Sequence, residues 1–218
     1  MAITPATPQI YQLKIVLRDI SPLIWRRVLV ASTTTIADFH AIIQIAMGWE
    51  DLHLHHFRIY GKAYGVYRDG GMTFADNPRH VVLADFRLRA GERFLYEYDM
   101  GDGWQHDIWL ERVLSPTPTQ RYPVCSAGGD DCPPEDCDGP SGYQDLCAEA
   151  AATMWETRDD MVLVAERLLA MYDGGSRPTE EDVEFMDALD RMNDRIAQAP
   201  THFDRRAINR ALRTLRKE

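Results

Sequence analysis

No stretch of the sequence approaches the run of about 18 apolar residues that a membrane-spanning helix needs, so no membrane-embedded helix is expected. The opening segment, Met1 to Pro8, has no basic stretch leading into an apolar one, so a secretory leader is not expected and a cytoplasmic setting is. Basic residues are in deficit. The 24 Lys and Arg against 34 Asp and Glu leave a formal charge of −10, which repels polyanions at long range and argues against general binding of nucleic acid or anionic membranes. Cysteine is scarce and confined, with all four residues falling between Cys125 and Cys147. A secreted disulfide scaffold spreads its bridges along the chain, so reduced thiols are expected. Also missing are an HExxH-like helix, a glycine-rich phosphate loop, an evident nucleophile–base pair and any internal repeat.

What is present suffices for a substantial core. The chain has 218 residues, 45% of them apolar, and 21 aromatic side chains. That size suits one generous domain or a domain with an appendage. Ile10 to Leu17 alternates with strand period, and Ile24 to Val30 does the same after a turn at Arg18 to Pro22, which predicts an antiparallel pair. From Ile36 the spacing becomes helical, with Thr35 and Asp38 as a capping pair and Gly48 as the stop. His53 to Tyr60 returns to strand spacing, Gly61 to Pro78 is rich in turn residues, and Val81 to Leu88 is either a short strand or a loop. Phe94 to Asp99 and Trp104 to Val113 flank Met100-Gly-Asp-Gly103 and predict a β-hairpin. Six prolines between Ser115 and Gly142 predict a long irregular loop. Helices are expected over Gln144 to Thr153, Asp159 to Tyr172, from a cap at Thr179 onward with a stripe of Val183, Met186, Leu189, Met192 and Ile196, and from Asp204 to Arg216. Strands with one early helix, then a helical tail, give an α+β fold with an antiparallel or mixed sheet. The expected division is a domain over 1–146 and a helical extension over 147–218 packed on it.

Four groups of residues could carry chemistry. His53 and His55 on a strand would project from one face about 7 Å apart and could share a metal; alternatively they sit at a sheet rim with simple hydrogen bonds. The hairpin tip gathers Asp99, Asp102, Trp104 and His106. There Asp102 could orient His106 or join it in holding a cation, whereas Asp99 is expected to brace the turn. Cys125, Cys132 and Cys137 flank the Pro-Pro-Glu-Asp run, and with His106 they could form a structural zinc site, although gaps of six and four residues differ from the usual short zinc pairs. The alternative is that these cysteines are small buried residues. Finally, Arg205, Arg206, Arg210 and Arg213 make the last helix basic. It could contact nucleic acid, or dock on the acidic body of the chain.

Taken in order, Tyr11-Gln-Leu-Lys-Ile15, Pro22-Leu-Ile-Trp-Arg-Arg27, His40 to Trp49, His53-Leu-His-x-Phe57, Tyr96 to His106, Cys132-Pro-Pro-Glu-Asp-Cys137 and Gly142-Tyr143 form a distinctive set. The chain resembles the plasmid pRiA4b ORF-three-like family over roughly Tyr11 to Leu146, with Phe203-Asp204 and Ile208-Asn209 similar to the family's closing segment. The resemblance implies an α+β fold, a mobile-element setting that includes TnpR-like passengers of insertion elements, and no established activity. A serine recombinase needs an activated serine among arginines, and neither Ser21 nor Ser32 has that context.

Two functions are consistent with these residues. One is a non-enzymatic binding or adaptor module with a protein or peptide partner, in which Trp25, Trp49, Tyr96, Tyr98 and Trp104 supply an aromatic floor and zinc staples the cysteine loop. The other is a metal-dependent hydrolase, with ligands from His53, His55, Asp102 and His106 and with Glu135 or Asp136 activating water. The absence of a local catalytic signature favours the first. Both need the cysteine-bearing segment to fold back over the hairpin tip.

Overall fold

The structure, a computed structural model, describes residues 8–65, 74, 76–174, 182–197 and 203–216. Contacts divide the chain into two compact units, one of 1–143 with 202–218 and the other of 144–201.

The first unit is built on seven antiparallel strands. In chain order these are β1 (Ile10–Leu17), β2 (Trp25–Ala31), β3 (His55–Ile59), β4 (Lys62–Gly65), β5 (Arg93–Tyr98), β6 (Trp104–Leu114) and β7 (Val124–Gly129), arranged β4-β3-β5-β6-β1-β2-β7. The alternation read from β1 and β2 is the alternation of burial, with Leu13, Ile15, Val28 and Val30 fully enclosed. Residues at the intervening positions meet on the other face, where Arg27 pairs with Glu111 and Arg18 with Asp107.

Helix α1 (Ile36–Met47) belongs to the core that this sheet builds, where Phe39 stacks on Phe57. Its start is fixed by the Thr35 side chain accepting from the Asp38 N–H, and its end by Gly48 at φ 85. The segment 81–88 is neither strand nor open loop: Val82 bridges to Thr35 and Leu83–Phe86 is one 3-10 turn. β4 was hidden in the turn-rich stretch, because its four residues gain strand character only by pairing with β3.

The expected irregular loop contains a strand, β7. Val-Cys-Ser-Ala-Gly-Gly has little intrinsic strand preference, yet it pairs with β2 and receives helix α4 (Arg205–Leu212). Gly128 leaves room for that cover, since a Cβ at that position would lie 2.5 Å from the Phe203 ring and displace it. Asn209 fixes the helix to the strand by accepting from the Cys125 N–H at 2.8 Å and donating to the Cys125 carbonyl at 2.9 Å. α4 therefore belongs to the first unit.

The two helices expected over 144–172 are one, α2 (Gly139–Gly174), because no glycine or proline lies between Gly142 and Asp173 to break it. Pro140 is tolerated in the first turn, where an N–H has no helical partner anyway. In the second unit α2 runs beside α3 (Val183–Ala197), with Val164, Phe185 and Ala188 buried and Arg191 gripping Asp160 through two hydrogen bonds. The buried face of α3 thus differs from the expected stripe, since Val183 and Met186 are exposed while Phe185 and Ala188 are enclosed. Thr179, the expected cap, lies outside the described residues.

Candidate functional site

At one end of the sheet three aromatic side chains meet: Trp49 after α1, Tyr98 at the end of β5 and Trp104 at the start of β6. Trp49 stacks on Tyr98 with centroids 5.2 Å apart and lies 5.6 Å from Trp104. The segment 130–139 folds back over this end, as the sequence reading required. Trp49 Nε1 donates to the Pro133 carbonyl at 2.9 Å and Trp104 Nε1 to the Glu135 carbonyl at 2.8 Å. The chemistry is complementary, because an indole only donates and a Pro-Pro stretch offers carbonyls without N–H groups. The Glu135 carboxylate accepts from Tyr98 OH at 2.7 Å and from the Glu50 N–H at 3.1 Å, and Asp102 Oδ2 accepts from the Gly139 N–H at 3.0 Å. Tyr98 OH in turn accepts from the Leu52 and His53 N–H groups. The expected aromatic floor is thus covered by the chain's own segment: Tyr96, Tyr98 and Trp104 are completely buried, and Trp25 stands apart beneath Lys14 and Arg27.

A polar rim edges this closure. His53 Nε2 lies 2.7 Å from Asp136 Oδ1 and its Nδ1 lies 3.5 Å from Asp99 Oδ2. One ligand atom from each of His53, Asp99 and Asp136 falls within 4.8 Å of the others, and all three side chains reach solvent to some degree. Three separate stretches deliver them: the α1–β3 connection, the hairpin tip and the proline segment. Asp99, at φ 50, also braces its turn as expected by accepting from the Gly101 N–H at 2.9 Å.

His55 does not stand beside His53. β3 begins only at His55, so strand alternation does not govern His53, and the two rings enter different clusters. His55 stacks face to face on His40 at 3.4 Å and 7°, and these two with Asp51 form a second group of potential ligands. In that group His40 is committed, Nδ1 to Tyr96 OH and Nε2 to Asp51, each at 2.8 Å. An ion in the plane of one stacked ring would lie about one stacking distance off the plane of the other, so the parallel stack is poorly set for joint ligation. His40 and Gln44 carry this network as polar residues four apart beside the apolar stripe of α1. That spacing was the available sequence signal for them, and Asp51 had none.

His106 is sealed between Tyr96 and Trp49, and neither ring nitrogen has a hydrogen-bond partner of ordinary geometry among the described residues. Burial pushes its pKa down to about 3, with the backbone of Trp104 and Tyr96 offsetting this only in part. Asp102, engaged with Gly139, does not orient it.

The thiols are dispersed. Cys125 is buried on β7 with Sγ near the Ala127 carbonyl, and burial raises its pKa. Cys132 Sγ lies 3.2 Å from both Arg26 Nη2 and Met47 Sδ, and burial pushes its pKa up to about 11 despite that guanidinium. Cys137 sits near the Gly139 carbonyl, and Cys147 is exposed. Among the described residues, Cys125, Cys132, Cys137 and His106 form no group at ligand distance. Arg26, which entered the sequence analysis only as part of the Pro22 to Arg27 motif and without a role, is the tie at this place: buried, it donates to the carbonyls of Ala46, Trp25 and Gly129 and lies over the Phe203 ring.

On α4, Arg205 donates to the Ser126 carbonyl and Arg210 pairs with Asp204, while Arg206 on the helix and Arg213 at its C-cap are exposed. Among the described residues no helix is long and apolar enough to cross a membrane.

Comparison with known proteins agrees with this architecture. The chain is 36% identical over 146 residues to the uncharacterized protein y4hQ of Sinorhizobium fredii, covering 65% of this chain and 73% of that one. It is similar to the crystal structure of a protein of unknown function, MM3350, from Methanosarcina mazei Go1, with a TM-score of 0.60, 34% identity, and coverage of 66% of this chain and 83% of that one. The model of the family described as plasmid pRiA4b ORF-3-like protein matches residues 9–175, reaching further into α2 than the sequence motifs suggested. With that match over most of its length, the chain, an α+β protein like these two relatives of unknown function, belongs to the pRiA4b ORF-3-like family.

Proposed function

We propose that this protein is a cytoplasmic binding module of mobile-element origin in which a divalent transition-metal ion, zinc being the best match to imidazole and carboxylate ligands, fastens the 130–139 segment over the end of the sheet. Its ligands are His53, Asp99 and Asp136, in place of the thiol set. The observation that carries this reading is the convergence of three ligand atoms within 4.8 Å from three separated stretches of chain. A partner-binding role is supported by the exposed apolar row Met154, Met161, Leu168 and Tyr172 on α2.

A metal-dependent hydrolase is the second reading, favoured by the solvent access of His53 and Asp136, which leaves coordination positions for water. Against it, Glu135 is buried and accepts from Tyr98 and Glu50, and Asp136 serves as a ligand, so neither supplies a free base.

The test is the metal content of purified protein. About one zinc per chain is expected, lost in His53→Ala and in Asp136→Asn and retained in Cys132→Ser and His106→Phe. Loss in the cysteine variant with retention in His53→Ala would restore the thiolate site. A metal-free chain that stays folded and takes up no added zinc would end both metal readings. Zinc-dependent cleavage of a phosphate or ester substrate, abolished by His53→Ala, would favour the hydrolase.

A further inference from the structure

A second site lies away from this rim. The stretch entering β7 and the C-terminal half of α4 enclose a cleft of about 680 Å³ lined by Thr119, Gln120, Arg121, Tyr122, Asn209 and Arg213, with Pro123, Val124 and Leu212 as its apolar part. That volume falls in the range of small-molecule sites, about 300 to 1,000 Å³. The walls are fixed to each other before any ligand arrives: Asn209 holds both polar groups of the Cys125 backbone, and Arg205 holds the Ser126 carbonyl on the same strand.

The charge of the cleft is opposite to that of the chain. Arg121 lines the cleft from the stretch before β7 and Arg213 from the end of α4; among the described residues no carboxylate lines the space, and neither guanidinium has a hydrogen bond or ion pair with them. Arg213 also offsets the dipole at the end of α4, but Arg121 is on no helix and has no such role. On α4 itself, Arg210 pairs with Asp204, Arg205 holds β7 and Arg206 is outside the lining, so the basic group at this end of the cleft is Arg213 at the helix C-cap.

We infer that this cleft binds a phosphate-bearing small molecule of mononucleotide size, with Arg121 and Arg213 clamping the phosphate from opposite sides and Tyr122, Pro123 and Leu212 facing its organic part. Guanidinium forks match phosphate oxygens in pairs, so the two arginines supply both charge and orientation. The remaining donors, Thr119 and Gln120, suit the polar edge of a sugar or base.

The full chain is titrated by calorimetry with inorganic phosphate, with adenosine monophosphate and with a 20-base-pair duplex. Saturable binding of the nucleotide is expected, at least tenfold tighter than phosphate alone. Arg121→Ala and Arg213→Ala should each weaken it about tenfold or more, while Arg206→Ala, on the same helix but outside the cleft, leaves it unchanged. Unaltered circular dichroism and unfolding midpoints for each variant show that the loss is local. No saturable binding, binding indifferent to both cleft substitutions, or duplex binding that outweighs the nucleotide and falls with Arg206→Ala would each overturn the assignment. The outcome is independent of the metal rim, since His53→Ala should not affect it.

Discussion

The indole N–H of Trp104 donates to the backbone carbonyl of Glu135 at 2.8 Å, joining the first residue of β6 to a segment 31 positions later that was expected to be irregular. This contact, with its counterpart from Trp49 to Pro133, closes the proline segment over the hairpin tip. Trp104→Phe keeps a six-membered aromatic ring and removes the pyrrole ring with its donor. The expected cost is about 1 to 3 kcal/mol, since a buried carbonyl loses its partner, with faster proteolysis within 130–139. Urea unfolding and limited proteolysis check it, and a variant as stable and resistant as the parent would show that the closure does not depend on this bond.

Gly139 meets Asp102 from the other side of the same closure. It sits at φ 67, and a Cβ there would lie 2.1 Å from the Asp102 carbonyl oxygen. Gly139→Ala is therefore expected to destabilise the protein by more than about 1 kcal/mol and to raise amide exchange in the turn Gly101 to Gly103. Hydrogen exchange resolves the turn, and unchanged protection there would contradict the packing described.

Stability should fall with acid. His106 is held neutral, with a folded-state pKa of about 3 against an ordinary value of 6.5, so below the latter the unfolded chain binds a proton that the folded chain refuses. The contribution is fully present above 6.5 and lost as pH falls toward 3, with a slope on the order of 1 kcal/mol per pH unit. Burial lowers His56 in the same sense, so some slope remains when His106 is replaced. Urea midpoints between pH 7 and 4 should drop steeply for the parent and less steeply for His106→Phe. Equal slopes would place the acid sensitivity elsewhere.

Asn209→Ala leaves the N–H and carbonyl of Cys125 without their side-chain partners and should cost on the order of 2 kcal/mol, with β7 losing exchange protection before β1 and β2. Asn209→Asp cannot donate to the carbonyl and should fall between the two. Loss spread evenly across the sheet would mean that α4 does not clamp β7 in particular.

Much of the fold was legible because its signals are local. β1, β2, α1 with its Thr35 cap and Gly48 stop, and the β5–β6 hairpin carry their periodicity in consecutive residues, and each is found within a residue or two of its expected bounds. β7 was not legible, since Val124 to Gly129 is a strand only through its pairing with β2 and the cover of α4. The candidate site divides in the same way. That histidines, aspartates, indoles and thiols gather around residues 49–56, 98–106 and 125–137 is written in the order of residues. Which of them touch is not.

Residue order was enough for β1, β2, α1 and the β5–β6 hairpin with its closely spaced side chains, because hydrogen-bonded periodicity and turn chemistry act over a few residues. Tertiary structure alone decided that His53 joins Asp99 and Asp136 while His55 stacks on His40, and that Cys132 lies against Arg26 and Met47 instead of other thiols. Those choices follow from where the chain crosses itself. The indole donors of Trp49 and Trp104 need acceptors, the carbonyls of Pro133 and Glu135 meet them some 31 to 84 residues away, and everything carried on the segment is placed by that closure.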